Sequence, residues 1–219
     1  MNILKISLSV VVSSFILLGC APKKEFTYVT PVHSYVNEKD ELLNKINSKG
    51  YLFLEEDFKQ YASKFSDDKD VMMMLFQSRP VMFLKYASER IKNDYDCAKT
   101  AVKRDGNSLQ FLGDSMKNND EIVLLATAET RHAIPFIGKT LLNDKEFIIK
   151  QMKKNDNVMK YVSNEIKNDK EYLIFLLKET NSKEIIFNAS DNVRKDKYFQ
   201  KKADDCTGFS VNKERCLKD

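Results

Sequence analysis

The sequence repeats itself at an interval of about 25 residues over most of its length. Five successive units begin at residues that lie 26, 25, 25 and 25 positions apart: Asp68, Asp94, Asn119, Asp144 and Asp169. The triplet Tyr61-Ala62-Ser63 recurs 25 positions later as Tyr86-Ala87-Ser88, which predicts a divergent earlier unit over about residues 40–67. We number the units 1 to 6, beginning with the divergent one. A repeat of this length is typical of stacked supersecondary units that bury their apolar faces against one another.

Each unit has the pattern of two short helices separated by a polar break. In the first predicted helix an apolar residue follows the acidic start, and further apolar residues come four or five positions later. The first apolar positions are Val71, Cys97, Ile122, Phe147 and Tyr172. The second predicted helix carries an aromatic residue, at Tyr86, Phe111, Phe136, Tyr161 and Phe187, and later an aliphatic one, at Ile91, Met116, Leu141, Ile166 and Val193. We expect all three sets of side chains to lie in the core.

Asparagines mark the junctions between units. They are Asn93, Asn118, Asn143 and Asn168, and each stands directly before a new unit. Asparagine tolerates the left-handed conformation that ends a helix, and its side chain can cap the helix that follows. With Asn143 as the N-cap, Glu146 falls at the spacing of a capping box. We therefore expect junction asparagines to end one helix and to begin the next.

The predicted fold is an all-α, solenoid-like array of short antiparallel helix pairs, with about 25 residues in each repeat. Helices of about ten residues, roughly 15 Å long, are marginal alone, so stacked neighbours must stabilise them. The chain has only 6 glycines and 4 prolines. An all-β sandwich or barrel needs a turn every eight to twelve residues, so this composition disfavours it.

The repeat resembles a known tandem helical repeat. The segments Asp144-Lys145-Glu146-Phe147 and Tyr86-Ala87-Ser88 carry the resemblance best, and it extends over roughly residues 68–195. The family is the bacterial domain of unknown function four-one-one-six. Unit 4 departs from the pattern, with Gly138-Lys139-Thr140 where other units have an Ala-Ser pair. The resemblance implies a helical-repeat fold, and it implies no activity, ligand or catalytic residue.

The first twenty residues have the features of a bacterial lipoprotein signal. Lys5 precedes an apolar run over residues 6–18 that only serines interrupt, too short to span roughly 30 Å of hydrocarbon. The run ends in Leu17-Leu18-Gly19-Cys20, which resembles a lipobox. The resemblance implies cleavage after Gly19, a diacylglycerol on the thiol of Cys20, and an acyl chain such as palmitate on the new amino group. The alternative is an ordinary signal peptide with a coincidental cysteine.

These features divide the chain into four predicted parts. They are a removed signal peptide (1–19), a lipidated tether (20–37), a helical repeat domain (38–195) and a C-terminal cap (196–219). Pro22, Pro31 and the lack of helical periodicity favour a tether. Ala21 resembles an outer-membrane address, so we expect a lipid anchor in the bacterial cell envelope, at the outer membrane in a Gram-negative cell.

The other three cysteines fall into two groups. Cys97 occupies a predicted core position and is expected to be a buried, inert thiol. Cys206 and Cys216 lie ten residues apart in the terminal segment, where an exported protein commonly forms a disulfide. Two free thiols are the alternative. We expect no metal site, because no histidine lies nearby and two thiolates do not complete a tetrahedral zinc site.

No catalytic constellation stands out. The sequence contains no glycine-rich phosphate loop and only two histidines, His33 in the tether and His132 in a predicted turn. Paired carboxylates for glycoside hydrolysis meet in space, and the sequence selects no such pair. The net charge of +4 is spread evenly, without the concentrated basic face typical of nucleic-acid binding. We therefore expect no enzyme, no cofactor and no nucleic-acid partner.

The preferred hypothesis is a lipid-anchored scaffold of the cell envelope that binds another protein. Its membrane contact would be the lipid on Cys20, and its protein partner is unknown. Arrays of helix pairs present extended binding surfaces, and this analogy at the level of the fold is the basis of the hypothesis. A periplasmic immunity-type lipoprotein that neutralises a toxin is one alternative. An envelope enzyme or carrier with a pocket between repeats is another.

Overall fold

The protein is an array of short helices, and no strand occurs in the part of the chain that its structure describes. The structure is a computed structural model that describes residues 31–208 and 213–218. Seven helices, α1–α7, begin the successive units and the terminal segment, and a short α8 ends the chain. Their bounds are Pro31–Lys49, Lys69–Ser78, Tyr95–Arg104, Asp120–Glu129, Lys145–Met152, Lys170–Thr180, Lys197–Thr207 and Lys213–Leu217. The predicted all-α repeat array is thus confirmed.

The second helix of each predicted pair is broken in two. In units 2 to 6 the two pieces are short α- or 3₁₀-helical segments: Pro80–Leu84 and Glu89–Lys92, Gly106–Phe111 and Asp114–Lys117, Arg131–Phe136 and Leu141–Asn143, Asp156–Lys160 and Asn164–Asn168, Glu184–Asn188 and Asp191–Lys195. Unit 1 has Gly50–Leu52, Glu55–Lys59 and Ala62–Phe65 after α1. The backbone between the pieces is extended, as at Ser88 (ψ 160°) and Leu112 (ψ 161°). A continuous second helix was therefore a wrong prediction.

The prediction that junction asparagines begin the next helix is also wrong, by one residue. The N-cap of α5 is Asp144, whose side chain accepts hydrogen bonds from the N–H groups of Glu146 and Phe147 at 2.8 and 3.0 Å. Aspartates cap four more of these helices in the same way, and Asn119 caps α4. Asn93 and Asn118 end short segments with φ near −104°, not in the left-handed region. A carboxylate at the N-cap also favours the helix dipole, which makes aspartate the better cap there.

Asn93, Asn118 and Asn143 instead bridge neighbouring units. Asn118 donates through Nδ2 to the carbonyl of Asp114 and accepts through Oδ1 from the backbone N–H of Thr140, at 2.9 and 3.0 Å. Asn93 makes the corresponding bond to the N–H of Ser115 at 3.3 Å. Gly113 holds the N-cap position there and has no side chain to offer. The asparagine of one unit therefore supplies the missing cap to the next.

Glycine is required where the asparagine supplies that cap. A Cβ atom on Gly113 or Gly138 would lie 2.1 Å from the amide oxygen of Asn93 or Asn118, respectively. In unit 5 the corresponding residue is Ser163, which caps its own segment through the N–H of Ile166 at 3.2 Å. In unit 4, Gly138 and the side chain of Asn118 therefore replace the serine that caps the corresponding segment in unit 5.

A ladder of backbone hydrogen bonds connects the short segments of successive units. Each bond runs from the N–H of the residue that starts a second segment to a carbonyl of the preceding unit. The pairs are Ser88 to Ser66, Gly113 to Lys92, Gly138 to Lys117, Ser163 to Leu142 and Ser190 to Lys167, at 2.8 to 3.2 Å. These bonds satisfy backbone groups that the break in the second helix would otherwise leave unpaired.

The core lies between the long helices and the short segments. The predicted first apolar positions, from Val71 to Tyr172, and the predicted aliphatic positions, from Ile91 to Val193, are all buried. The helices α2, α3 and α4 pack side by side, as do α6 and α7. A hydrogen bond between the buried side chains of Thr127 and Gln151, at 3.0 Å, joins α4 to α5. These two sets of core predictions are confirmed.

Ion pairs link the starts of neighbouring long helices. A lysine at the first position of one helix reaches the N-cap carboxylate of the next, as Lys69 does to Asp94 at 2.9 Å and Lys170 does to Asp196 at 3.0 Å. Lys145 pairs with Asp169 at 2.5 Å, and this bond and the N–H of Tyr172 lower the pKa of that carboxyl. The pairs are partly exposed, so each contributes only a few tenths of a kcal/mol, at most about 1.

Both ends of the array differ from its middle. Helix α1 begins at Pro31, so the segment assigned to the tether is helical from that residue onward. At the other end α7 stops at Gly208, where a Cβ atom would lie 2.4 Å from the carbonyl oxygen of Asp204. A disulfide between Cys206 and Cys216 then joins α7 to α8.

Candidate functional site

The aromatic residues of the second predicted helices are not core residues, contrary to the prediction. Tyr86, Phe111 and Phe136 are half-buried, Tyr161 is 40% exposed and Phe187 is 68% exposed. Their neighbours Met159 and Val162 are buried instead. The reason is the break in the second helix, because the chain becomes extended just after the aromatic residue and the 3.6-residue period is lost.

These five side chains, which we call the aromatic row, occupy equivalent positions in units 2 to 6. Each lies within two residues of the end of the first short segment. Equivalent positions in stacked units lie side by side, so the row follows one side of the array. Scattered exposed apolar residues are common, but here half-buried or exposed aromatic residues recur at the unit spacing.

Cavities open beside the aromatic row where two units meet. The first inter-unit cavity, of about 640 Å³, lies between units 2 and 3. Its wall combines the apolar residues Pro80, Val81, Met82 and Phe111 with the cations Arg79, Lys85 and Arg104. Glu55 and Asp105 complete the charged part of the wall. A largely apolar cavity of this size with a few converging charged groups is typical of a ligand or side-chain pocket.

A small polar network fixes one side of the first inter-unit cavity. Lys85 Nζ bonds to Glu55 Oε2 at 2.6 Å and lies 5.3 Å from the centre of the Tyr86 ring. The hydroxyl of Tyr86 donates to Glu55 Oε1. The bonds from Lys85 and Tyr86 lower the pKa of Glu55, and the bond to the carboxylate raises the pKa of Tyr86 to about 12. The network holds unit 1 against the first aromatic residue of the row.

The same cavity recurs two units later. The second inter-unit cavity, of about 330 Å³, is lined by Arg131, His132, Pro135 and Tyr161, which lie 50 positions after Val81, Met82, Lys85 and Phe111. Lys160 and Asn157 line it as well. Each cavity thus places a ring of the aromatic row beside at least one cation from each of the two units that meet there. Recurrence at equivalent positions makes the cavities a property of the repeat.

The predicted site residues lie elsewhere. Cys20 is outside the described residues, and so is the side chain of His33. Cys206 and Cys216 form the disulfide of the terminal segment. Cys97 is a buried thiol whose pKa is raised to about 12, mainly by burial. His132 is exposed and lines the second inter-unit cavity.

The described part of the chain contains neither a metal-binding cluster nor a membrane-spanning helix. Among residues 31–208 and 213–218, no group of three or more His, Cys, Asp or Glu side chains is placed to hold a metal ion. None of the helices in those ranges is long and apolar enough to cross a membrane.

The sequence did not predict the cavities, although the spacing of two arginines was one possible signal for them. Arg79 and Arg104 lie 25 positions apart, directly before or near the start of a short segment. Both line the first inter-unit cavity. Cations at the repeat interval beside an apolar pair could have indicated a recurring pocket.

The comparisons with known proteins agree with the repeat register. The family described as "Domain of unknown function (DUF4116)" matches residues 68–117, 94–142 and 121–167. Each match covers about two units, and each begins close to one unit after the previous match. No curated protein and no solved structure matches the chain. Residues 68–167 are therefore similar to tandem repeats of this family.

Proposed function

We propose that the protein is a lipid-anchored scaffold of the bacterial cell envelope that binds another protein through the aromatic row. The anchor would be Cys20, in the motif Leu17-Leu18-Gly19-Cys20. Diacylglycerol together with an amide-linked acyl chain is enough for stable anchoring, whereas one chain alone is marginal. The tandem repeats supply an extended surface beyond that anchor.

The exposure of the aromatic row is the observation that carries the proposal. Tyr161 and Phe187 leave large apolar surfaces in water, although burying an aromatic side chain stabilises a fold. Aromatic residues and arginine are the residue types that most often dominate the binding energy of protein interfaces. The two inter-unit cavities place arginines beside rings of this row, as Arg104 lies beside Phe111. A partner that covers the row would therefore bury both kinds of residue.

The first inter-unit cavity supports a second candidate, a carrier of a small apolar molecule. Its volume of about 640 Å³ falls in the range of small-molecule pockets. The same cavity would also accept a side chain of a protein partner. The aromatic row extends over five units, which favours a partner longer than a small molecule. Neutralisation of a toxin would be one form of this protein binding.

Site-specific crosslinking in intact cells tests the binding surface. We would place a photo-reactive phenylalanine analogue at Tyr161, at Phe187 and, as the control, at Phe175. Phe175 is 46% exposed, and it lies on the long helix α6 and not in a short segment that carries the aromatic row. We expect one and the same adduct from positions 161 and 187 and no such adduct from position 175. Equal crosslinking from all three positions would contradict a role for the row.

Fractionation of cells tests the anchor separately. The change Cys20→Ala should move the protein from the membrane fraction to the soluble fraction, or leave it unprocessed. Cys97→Ala is the matched control, because that thiol is buried in the array and should not affect partitioning. Mass spectrometry of the native protein should show lipid on Cys20. A native protein without lipid would overturn the anchor and leave the proposed binding surface in place.

A further inference from the structure

We propose that the C-terminal end of the array holds a binding site for a phosphate-type anion. The site is a cavity of about 330 Å³ between α7 and α8. It is lined by Tyr198, Lys201, Lys202, Asp205, Arg215 and Lys218. The cavity shares no residue with the aromatic row, and the proposal does not depend on the proposed function.

Helical spacing brings these side chains to one place. On α7, Tyr198, Lys201, Lys202 and Asp205 follow the i, i+3, i+4, i+7 pattern of a single helix face. On α8, Arg215 and Lys218 are three residues apart, at the end of that helix. The disulfide between Cys206 and Cys216 holds the Cα atoms of these cysteines 4.8 Å apart. The cation-bearing faces of the two helices therefore meet.

Lys202 forms the floor of the cavity. It is only 4% exposed, and its ammonium donates to the carbonyl oxygens of Arg215, at 3.4 Å, and of Lys218. Its Nζ also lies 5.8 Å from the centre of the Tyr198 ring. These contacts satisfy carbonyl groups at the C-terminal end of α8, which a cation stabilises. The buried positive charge is thereby fixed, whether or not a ligand is present.

This cavity gathers several cations and one acid. Several lysines elsewhere in the array reach carboxylates of the next unit, as in the pairs Lys69–Asp94, Lys145–Asp169 and Lys153–Glu179. In the cavity Lys201, Lys202 and Lys218 make no ion pair with a carboxylate of the described residues, and Asp205 is the single acid in the wall. Like charges held close together repel one another. A bound anion would remove that repulsion.

The geometry favours a phosphate group over a single carboxylate. A phosphate monoester carries a charge of −1.5 to −2 near neutral pH and offers three strong acceptor oxygens. Arginine and lysine together are the usual ligands of such a group. The cavity has four cations and is small, so it suits the phosphate end of a molecule better than a large ligand. Free phosphate and the headgroup of an anionic phospholipid share this chemistry.

Calorimetric titration of the full chain in detergent micelles tests the site. The probes are inorganic phosphate, glycerol 3-phosphate and dihexanoyl phosphatidic acid. We expect saturable binding that the double variant Lys201→Gln/Lys218→Gln weakens at least five-fold. The matched control, Lys103→Gln/Lys150→Gln, removes two exposed lysines from the long helices and should leave the affinity unchanged. Tighter binding of the phosphatidic acid than of both free phosphates would identify the source as a lipid.

Reduction of the disulfide provides a second test. Without the bond between Cys206 and Cys216, Arg215 and Lys218 are no longer held against α7, so we expect a reductant to weaken phosphate binding by a similar factor. Circular dichroism would show that α7 and the array remain folded in the variants. The proposal is overturned if no probe binds, if the control variant weakens binding as much as the site variant, or if the site variant binds like the native protein.

Discussion

The Oδ1 atom of Asn118 accepts a hydrogen bond from the backbone N–H of Thr140 at 3.0 Å, across the boundary between units 3 and 4. Thr140 is itself the N-cap of the short segment Leu141–Asn143, and its side chain makes no capping hydrogen bond. A helix start without a side-chain acceptor leaves orphan donors. The stability of one unit therefore depends on a side chain of the unit before it.

Asn118→Ala should consequently destabilise the protein by about 1–2 kcal/mol, the usual effect of losing an N-cap. Asn143→Ala is the matched control, because Asn143 bonds to the side chains of Ser163 and Glu165, while Ser163 accepts the capping bond from the N–H of Ile166. We expect the control to lower the free energy of unfolding less than half as much. Thermal unfolding followed by circular dichroism would compare the two. Equal losses would show that the bridging bond does not act as a cap.

Gly138→Ala should show strong coupling to Asn118→Ala. A Cβ atom at position 138 would lie 2.1 to 2.5 Å from the amide atoms of Asn118, so the asparagine would have to leave its partners. We expect the double variant to be no less stable than Gly138→Ala alone, a non-additivity of about 1 kcal/mol or more. Gly106→Ala would show no such coupling, because its Cβ atom meets the backbone oxygen of Ala126 at 2.4 Å and no side-chain substitution removes that oxygen. Additive losses in the first pair would contradict the contact.

Acid should weaken the junction between units 5 and 6. Lys145 and the N–H of Tyr172 lower the pKa of Asp169 in the folded protein, so its contribution is present above the unfolded pKa, about 4, and is lost as the pH falls through the folded value. Asp169→Asn keeps the capping oxygen and removes the charge. We expect a loss of about 0.5 kcal/mol at pH 7, because the pair is partly exposed. Melting temperatures of the two proteins should converge below pH 3, and a constant difference would contradict this.

The aromatic row should contribute little to stability. Tyr161→Ser and Phe187→Ser should each change the free energy of unfolding by less than about 0.5–1 kcal/mol, because these side chains are 40% and 68% exposed. Met159→Ala is the buried control in the same segment as Tyr161, and it should cost about 2–5 kcal/mol. Losses of similar size in the three variants would mean that the row is part of the core.

The disulfide of the terminal segment should stabilise the cap. Its loop spans ten residues, and constraining the unfolded chain in this way contributes about 2–3 kcal/mol. Cys206→Ser should therefore lower the melting temperature under oxidising conditions, and a reductant should remove the difference from the native protein. Thiol titration of the unfolded, unreduced chain, with Cys20 lipidated, should detect the thiol of Cys97 alone. Three accessible thiols would discard the bond, and four would discard both the bond and the lipid.

The sequence was sufficient to predict the repeat register and the long helices, because an apolar period of 3.6 residues persists there for two to three turns. It failed in the second half of each unit. Segments of three to six residues, such as Leu141–Asn143, are too short to display a period. The aromatic residues recur at one position, and recurrence alone does not distinguish a core position from an exposed one. The position of Asp144 as the cap was obscured because an asparagine, itself a good cap, stands beside it.

The candidate site was harder to predict for a related reason. A cavity between two units depends on residues from both, such as Lys85 and Phe111, whose separation in sequence has no meaning in a single helix. The network of Glu55, Lys85 and Tyr86 joins two units as well. Only the stacking of the units brings such residues together, whereas the disulfide pair was evident from the spacing of two cysteines in an exported chain.

The ladder of backbone hydrogen bonds has a consequence for how such a chain can lengthen or shorten. The bond from Ser163 to Leu142 and the bond from Ser190 to Lys167 join equivalent atoms of different units. Excision of residues 144–168 would bring the N–H of Ser190 opposite the carbonyl of Leu142, which in the native protein accepts from the N–H of Ser163. Duplication of the same stretch would add one more identical connection. Gene rearrangements in steps of one unit would therefore preserve the backbone ladder, because its bonds do not depend on the side chains of the units that they join.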